Sequence, residues 1–371
     1  MERELVVVGG GHAHLTVLKN LAKFGEQSVR VTVVNPDAHH FYSGMGPGML
    51  AGTYRPEGIR FDIRGMTERG GGRFVEDAVV RIDPGRKRLS LASGLELPYD
   101  VASFNTGSGV PFPIPEPLRN RSVFPVKPIV NLMVARERIL ERLRTDQPRL
   151  IVAGGGPAGV EMAGNLRRLA DFAGGRATIT LVAGRRMLHE FPERARKLVL
   201  ENFLARQIEV IEETRIGEVS EDGVSLEGGD RLPAEFVFLA TGVKPSPLFA
   251  DSGLETGPDG GLAVNRYLQS ASHPELFGGG DCIYFTPRPL DRVGVYAVRQ
   301  NPLLLENLLR ATRGETALQE FEPQKTYMLI LNLGDGQGLF IRKGLVWRGG
   351  IAWKLKDYID SKFMREMQAS D

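Results

Sequence analysis

Two stretches decide how this chain is read: Leu5-Val6-Val7-Val8-Gly9-Gly10-Gly11-His12-Ala13-His14 and, 145 positions further on, Leu150-Ile151-Val152-Ala153-Gly154-Gly155-Gly156-Pro157-Ala158-Gly159. Each starts as a strand-type apolar run, breaks at three consecutive glycines and continues with helical spacing. Leu15, Leu18, Leu21 and Ala22 follow the first loop, and Val160, Ala163, Leu166 and Leu169 the second. Each then reaches a second strand-type run, Val29 to Val34 or Ala177 to Val182. Strand-helix-strand is therefore written twice. A glycine turn between strand and helix lets backbone amides approach a pyrophosphate and sets it at the positive end of the helix. Gly154-x-Gly156-x-x-Gly159 is the full fingerprint of such a turn. Gly9-x-Gly11-x-x-His14 lacks the third glycine, which usually lets the helix pack closely on the strand, so His14 must find room. Two loops in this context predict two dinucleotide sites, with Gly10, His12 and Ala13 completing the first.

Both units depart from the pattern downstream. The acid that usually holds a ribose diol at the end of the second strand is Asn35 in the first unit and Ala183 in the second. Asn35 retains hydrogen-bonding capacity; Ala183 has none. Arg185 and Arg186 follow at once, and two arginines there suit a 2′-phosphate, favouring NADPH over NADH. They read equally well as a solvated basic turn, so the nicotinamide preference stays open.

Composition bounds the rest. A chain of 371 residues suggests two or three domains, and 42% hydrophobic residues suffice for a sizeable core. Forty-seven Lys and Arg against 45 Asp and Glu leave no broad basic footprint, which argues against nucleic acid as a partner. Glycine numbers 45, roughly 12% where about 7% is usual, and it clusters between apolar runs. Cys282 is the only cysteine, so no disulfide within the chain, no multi-cysteine metal site and no dithiol pair is available. His12-x-His14 and His39-His40 are close in sequence, but no cysteine or carboxylate pattern completes a ligand set, and no metal is expected. The first residues run straight into a strand without a signal-peptide pattern, and no run of about 18 apolar residues occurs. The expected location is cytoplasmic, either free or peripheral on the cytoplasmic face of the membrane.

Further motifs narrow the class. Tyr99 to Ser108 and Phe236 to Gly242 are strand-type runs ending in Thr-Gly turns, at Thr106-Gly107 and Thr241-Gly242. Pro274-Glu275-Leu276-Phe277-Gly278-Gly279-Gly280-Asp281-Cys282 is followed by Gly294-Val295-Tyr296-Ala297-Val298-Arg299-Gln300, which opens a helix. This set resembles the pyridine nucleotide-disulfide oxidoreductase superfamily of two-domain flavoproteins. The stretches His39 to Gly52, Ala297 to Pro302 and Ile330 to Asp360 are similar to one branch, the type II NADH dehydrogenase-like flavoproteins, especially the form found fused ahead of selenophosphate synthetase. The similarity extends over essentially the whole chain, here free-standing.

The resemblance implies FAD and NAD(P)H as cofactors. It makes Asp281 the ligand of the FAD ribityl chain, with Gly280 and Gln300 beside it and the 294–300 helix end at the flavin N1. A helix N-terminus favours negative charge there by about 0.3–1 kcal/mol. It adds Val79 to the flavin-side set. Glu161 matches a family glutamate that reaches toward nicotinamide and flavin. Its usual lysine partner has no counterpart between Lys23 and Lys87, and Lys127 is the nearest substitute. Arg299 stands where quinone-using relatives carry glutamine.

Dithiol reductases carry a cysteine pair in the segment that is Tyr42 to Leu50 here, and this chain has none. Electrons must leave the flavin directly. The implied fold is α/β, with two Rossmann-like domains: a discontinuous FAD domain, 1–118 and 246–325, an NAD(P) domain, 119–245, and a short α+β C-terminal segment, 326–371. That segment holds both tryptophans, seven Lys and Arg against four acids over 341–371, and an apolar row Ile351, Leu355, Ile359, Phe363 and Met367. Over 345–368 it reads as a membrane-surface helix or as a packing or homodimer element. The expected activity is FAD-dependent NAD(P)H dehydrogenation with a quinone or other non-thiol acceptor. The alternatives are a slow, redox-sensing interaction protein or a reductase of a small selenium or sulfur compound.

Overall fold

Each glycine loop follows the central strand of a five-stranded parallel sheet in the computed structural model, which describes residues 3–368. The first sheet runs Leu276–Gly278, Val101–Phe104, Arg3–Val8, Val29–Asn35, Arg73–Glu76. The second runs Val123–Pro125, Phe236–Leu239, Arg149–Ala153, Thr178–Ala183, Ile208–Glu212. Leu5 to Val8 and Leu150 to Ala153 are buried throughout, because helices cover a parallel sheet on both faces and leave no polar side to alternate with. The second sheet is contiguous in sequence, whereas the first is left after Phe104 and regains its edge strand only at Leu276.

A small antiparallel sheet sits in each half, Val79–Asp83 with Arg88–Leu91 and Glu96–Pro98, and Ile216–Ser220 with Gly223–Leu226 and Arg231–Pro233. The C-terminal segment forms a third, Leu329–Asn332, Gly338–Arg342 and Leu345–Gly349. Its last strand was not legible as one, since its alternation is short; Trp347 stacks there on Phe340 at 5.4 Å. The helix Gly350–Gln368 follows without a loop.

The two glycine loops solve one steric problem in different ways. Gly9 and Gly154 both have positive φ, +88° and +125°, and a Cβ on either would lie 2.3 Å or 2.2 Å from a carbonyl oxygen of the neighbouring strand, that of Asn105 or Ala240. At the third glycine position, a Cβ on Gly159 would stand 1.7 Å from the Gly154 carbonyl oxygen, so the helix Pro157–Phe172 starts tight against the turn. His14 replaces that contact with a hydrogen bond. A 3-10 turn, His12–His14, displaces the start of the helix Leu15–Lys19, and the imidazole fills the gap. Nδ1 lies 2.7 Å from the Gly9 carbonyl, which only accepts, so Nδ1 carries the proton and Nε2 accepts from the Ser103 hydroxyl at 2.8 Å.

Burial holds His14 neutral, lowering its pKa from 6.5 to about 4 against the opposing pull of the Gly9 carbonyl. His40 is lowered by burial to about 4, and His12 by burial and the His40 charge to about 3. A folded-state pKa below the unfolded value means that the unfolded chain takes up protons first as pH falls. Stability should therefore decline from pH 6.5 toward 4, by up to about 1.4 kcal/mol per pH unit for each histidine. Urea unfolding across that range tests it, and a flat profile that His14→Asn leaves unaltered would contradict the buried, neutral assignment.

Candidate active site

Three segments converge beyond the carboxyl ends of the first sheet, where ligands of open α/β sheets bind. The first glycine loop is held by Asn35, whose Oδ1 accepts from the Gly10 amide at 2.9 Å. Thr106 and Gly107 form the turn after Val101–Phe104, with Gly107 at φ +69°. Gly280 and Asp281 lie in a 3-10 turn, and the Gly280 amide donates to Oε1 of the buried Gln300 at 2.7 Å, tying that turn to the helix Gly294–Arg313. Asp281 accepts from Ser108 at 2.8 Å and Lys127 at 2.7 Å. Burial works to raise its pKa, but the Lys127 charge and these hydrogen bonds hold it below the usual carboxylate range.

Polar atoms without partners mark the same region. His12 Nε2, His40 Nε2 and Asn105 Nδ2 are buried and make no hydrogen bond. A Cβ on Gly11 would lie 2.7 Å from Asn105 Nδ2, so the loop backbone sits directly against that donor. Buried polar groups are expected to be satisfied. Donors left open beside glycine amides, with a carboxylate further along, fit an elongated group that is phosphorylated in the middle and carries hydroxyls, as FAD is. Val79 opens the strand Val79–Asp83, half-buried and paired with Leu91.

The second loop repeats the arrangement. The helix Pro157–Phe172 begins at Gly156, and its free amides face the end of the sheet. Arg185 and Arg186 are exposed just past Ala183; Arg186 pairs with Glu193 at 2.9 Å, and Arg185 Nη1 lies 3.4 Å from His189 Nε2.

The C-terminal helix brings a third set of residues to the same place. Its Lys356 contacts Asp360 at 2.8 Å, the Gly44 carbonyl at 3.0 Å and Glu161 at 4.0 Å. Asp360 accepts from the Tyr42 hydroxyl at 2.9 Å, and Asp357 from the Tyr54 hydroxyl at 2.8 Å. Glu161 also accepts from the Asn332 amide at 2.7 Å. Burial alone would lower the Lys356 pKa, but the carboxylates of Asp360 and Glu161 outweigh it and raise it. For Glu161, burial dominates and raises the pKa, because Lys356 gives its short contact to Asp360 and only the longer one to Glu161. The lysine beside Glu161 is thus Lys356, while Lys127 belongs to Asp281.

Sequence reasoning missed Lys356, Asp360 and Tyr42. The inward row of this helix is Ala352, Lys356, Asp360 and Met364, and the apolar row that had marked its packing face divides. Ile351 and Ile359 face outward, while Phe363 turns inward to Tyr42 at 5.2 Å and His12 at 6.1 Å. An opposite-charge pair at i, i+4 normally signals a solvated face, so the pattern alone pointed the wrong way. Arg299 is exposed on its helix, one residue from the buried Gln300. Cys282 is buried, and burial pushes its thiol pKa up, which suits packing rather than nucleophilic chemistry.

Two glycine loops at the ends of parallel sheets, a shielded carboxylate at Asp281 and no cysteine in the 42–50 segment suit a flavin- and nicotinamide-dependent oxidoreductase. Residues 3–301 match the pyridine nucleotide-disulphide oxidoreductase family, to which this chain belongs. The chain is 27% identical over 348 residues to ferroptosis suppressor protein 1 of Taeniopygia guttata, covering 90% of this chain and 87% of that one. It is 26% identical to type II NADH:quinone oxidoreductase of Staphylococcus aureus, covering 97% and 94%. Its fold superposes on NDH2 from Plasmodium falciparum in complex with NADH with a TM-score of 0.82 at 14% identity, over 99% and 97% of the chains. The protein is an FAD-dependent NAD(P)H oxidoreductase of the NADH dehydrogenase-like branch.

Removing the Asp281 carboxylate leaves the half-buried Lys127 without its ion-pair partner and removes the acceptor that the resemblance assigns to the ribityl chain. Asp281→Asn should weaken FAD retention by about tenfold or more, the size of one charge-assisted hydrogen bond. Flavin released on dilution, followed by fluorescence, checks this.

Proposed function

We propose that the chain oxidises NAD(P)H and passes the electrons to a quinone, with the first sheet holding FAD and the second holding the nicotinamide nucleotide. Residues 1–118 and 246–325 are then the FAD domain, 119–245 the NAD(P) domain, and 326–371 the acceptor-side segment. The observation that carries this reading is the buried Glu161–Lys356–Asp360–Tyr42 network. It joins the start of the nucleotide-loop helix to the 42–50 segment, where a thiol relay would otherwise stand. FAD supplies hydride acceptance and onward electron delivery; the chain supplies position and charge. Gly9, Gly10, Gly11, His12, Ala13, His14 and Asn35 form one cradle with Thr106, Gly107, Asp281 and Gln300. Gly154, Gly156 and Gly159 form the other.

Glu161 and Lys356 act where the two cradles meet. Glu161 offers a carboxyl whose proton affinity is raised by burial, and Lys356 offers a fixed positive charge against the Gly44 carbonyl. Together they provide a polar edge for the nicotinamide ring and a donor near the departing electrons, whereas exposed Arg299 has no such position. The quinone acceptor agrees with the activity named for the Staphylococcus aureus relative.

The outer face of the C-terminal helix supports peripheral membrane contact. Ile351 is 76% exposed, Tyr358 60% and Ile359 37%, at helical spacing, with Lys354, Lys362 and Arg365 exposed as well. An apolar strip flanked by cations lies at an anionic lipid surface. No described helix is long and apolar enough to cross a membrane.

In anaerobic stopped flow, NADH or NADPH should bleach the bound flavin rapidly, and a soluble quinone should restore it rapidly. Slow reoxidation with a changed oligomeric state would favour the redox-sensing reading instead. Glu161→Gln should slow flavin reduction by about a hundredfold or more, within the range of a positioned proton-transfer group. Ile351→Glu combined with Ile359→Glu should abolish co-sedimentation with anionic vesicles while the flavin spectrum stays native.

A further inference from the structure

We infer that the second loop is built for a 2′-phosphorylated adenosine, held by Arg185 and Arg215, which makes NADPH the preferred reductant. This rests on the reading that residues 154–159 bind the nicotinamide nucleotide. The argument begins at Ala183, the fully buried end of the strand Thr178–Ala183. A Cβ on Gly155 would lie 2.5 Å from the Ala183 Cβ, so the strand end touches the phosphate loop, and residue 183 itself offers no carboxylate to a ribose diol or against a phosphate. The chain then folds back, with the Leu188 amide donating to the Gly155 carbonyl at 2.8 Å, and Arg185 and Arg186 stand exposed on the returning turn.

Two carboxylates nearby, Glu212 and Glu193, are already committed, while Glu213 is exposed on the turn beyond them. Glu212 is the cross-strand partner of Ala183, and it accepts from the Met187 amide at 2.6 Å and from Arg196 Nε at 2.9 Å. Hydrogen bonding by Arg196 holds its pKa below the usual range although burial works to raise it. Glu193 pairs with Arg186 at 2.9 Å and Arg196 at 3.2 Å. Neither is open to take a ribose diol.

Arg215 supplies the second cation. Its side chain crosses residue 184 closely, since a Cβ there would lie 2.6 Å from Arg215 Cγ and 3.0 Å from Nε. Arg215 and Arg185 form no ion pair among the described residues; Arg185 contacts His189 Nε2 at 3.4 Å. Two guanidinium groups without a carboxylate partner among the described residues thus flank the strand end where the 2′ position of the ribose lies in this fold, and their planar donors match a phosphate. The Staphylococcus aureus relative is named for NADH, so this chain would differ from it in its reductant.

The test is calorimetric binding of 2′,5′-ADP and 5′-AMP to the flavin-loaded protein at low salt, where surface charge is least screened. The native protein should bind 2′,5′-ADP at least about tenfold more tightly, the size of one charge-assisted hydrogen bond. Arg185→Ala and Arg215→Ala should each lower that ratio, the double variant should bring it near one, and Ala183→Asp should take it below one. A native flavin spectrum checks that each variant is folded. Equal binding of the two ligands by the native protein, or a ratio that neither arginine variant changes, overturns the inference while leaving the nucleotide site in place. Binding of neither ligand overturns the site and the inference together.

Discussion

The buried contact between Lys356 and Asp360 fixes the active site from outside both nucleotide-binding sheets. Taking two charges out of water costs several kcal/mol for each ion unless the geometry is good and the remaining donors and lone pairs are met. Here they are met by groups from other parts of the chain: the Gly44 carbonyl, the Tyr42 hydroxyl and, at longer range, Glu161. The helix can bury this face only when the 42–46 loop and the nucleotide-loop helix are in place. One ion pair therefore sets the register of three segments that share no sheet.

That dependence explains which parts of the protein were legible in the sequence. The two sheets were, because Leu5 to Val8 and Leu150 to Ala153 are uninterrupted apolar runs and their glycine turns have a steric cause that sequence records directly. The motifs and the resemblance pointed to Asn35, Thr106, Asp281 and Gln300, which the fold gathers around the first glycine loop. The partner of Glu161 was not legible, since Lys356 lies 195 positions away and reads as one cation among several on a basic helix. His14 was legible as a problem but not as a solution: the missing glycine was evident, and the bond from His14 to the Gly9 carbonyl was not. Periodicity detects where apolar side chains go, and it is blind to a charge that is buried because its partners are buried with it.

The tail shows the same limit. Ile351, Leu355, Ile359, Phe363 and Met367 form a continuous row on paper. Helix packing against the sheet of the C-terminal segment and the 42–54 region rotates that row, so Ile351 and Ile359 end outside and Phe363 inside, against Tyr42. The hydrophobic pattern located the helix correctly and misjudged its rotation, because two polar residues had stronger claims on the inner face than the aliphatic ones.

The interrupted first sheet has a consequence for how the chain reaches its folded form. The second sheet draws all its strands from residues 123–239, so its contacts are comparatively local and it can close as an independent unit. The first sheet lacks its outer strand until Leu276–Gly278 pairs with Val101–Phe104, and closing that span carries a larger entropic cost. During synthesis, Val101–Phe104 stands as an uncovered edge while the whole second sheet assembles. An apolar edge open to mispairing thus lies in the first sheet, and folding yield should be governed by how quickly that late strand arrives.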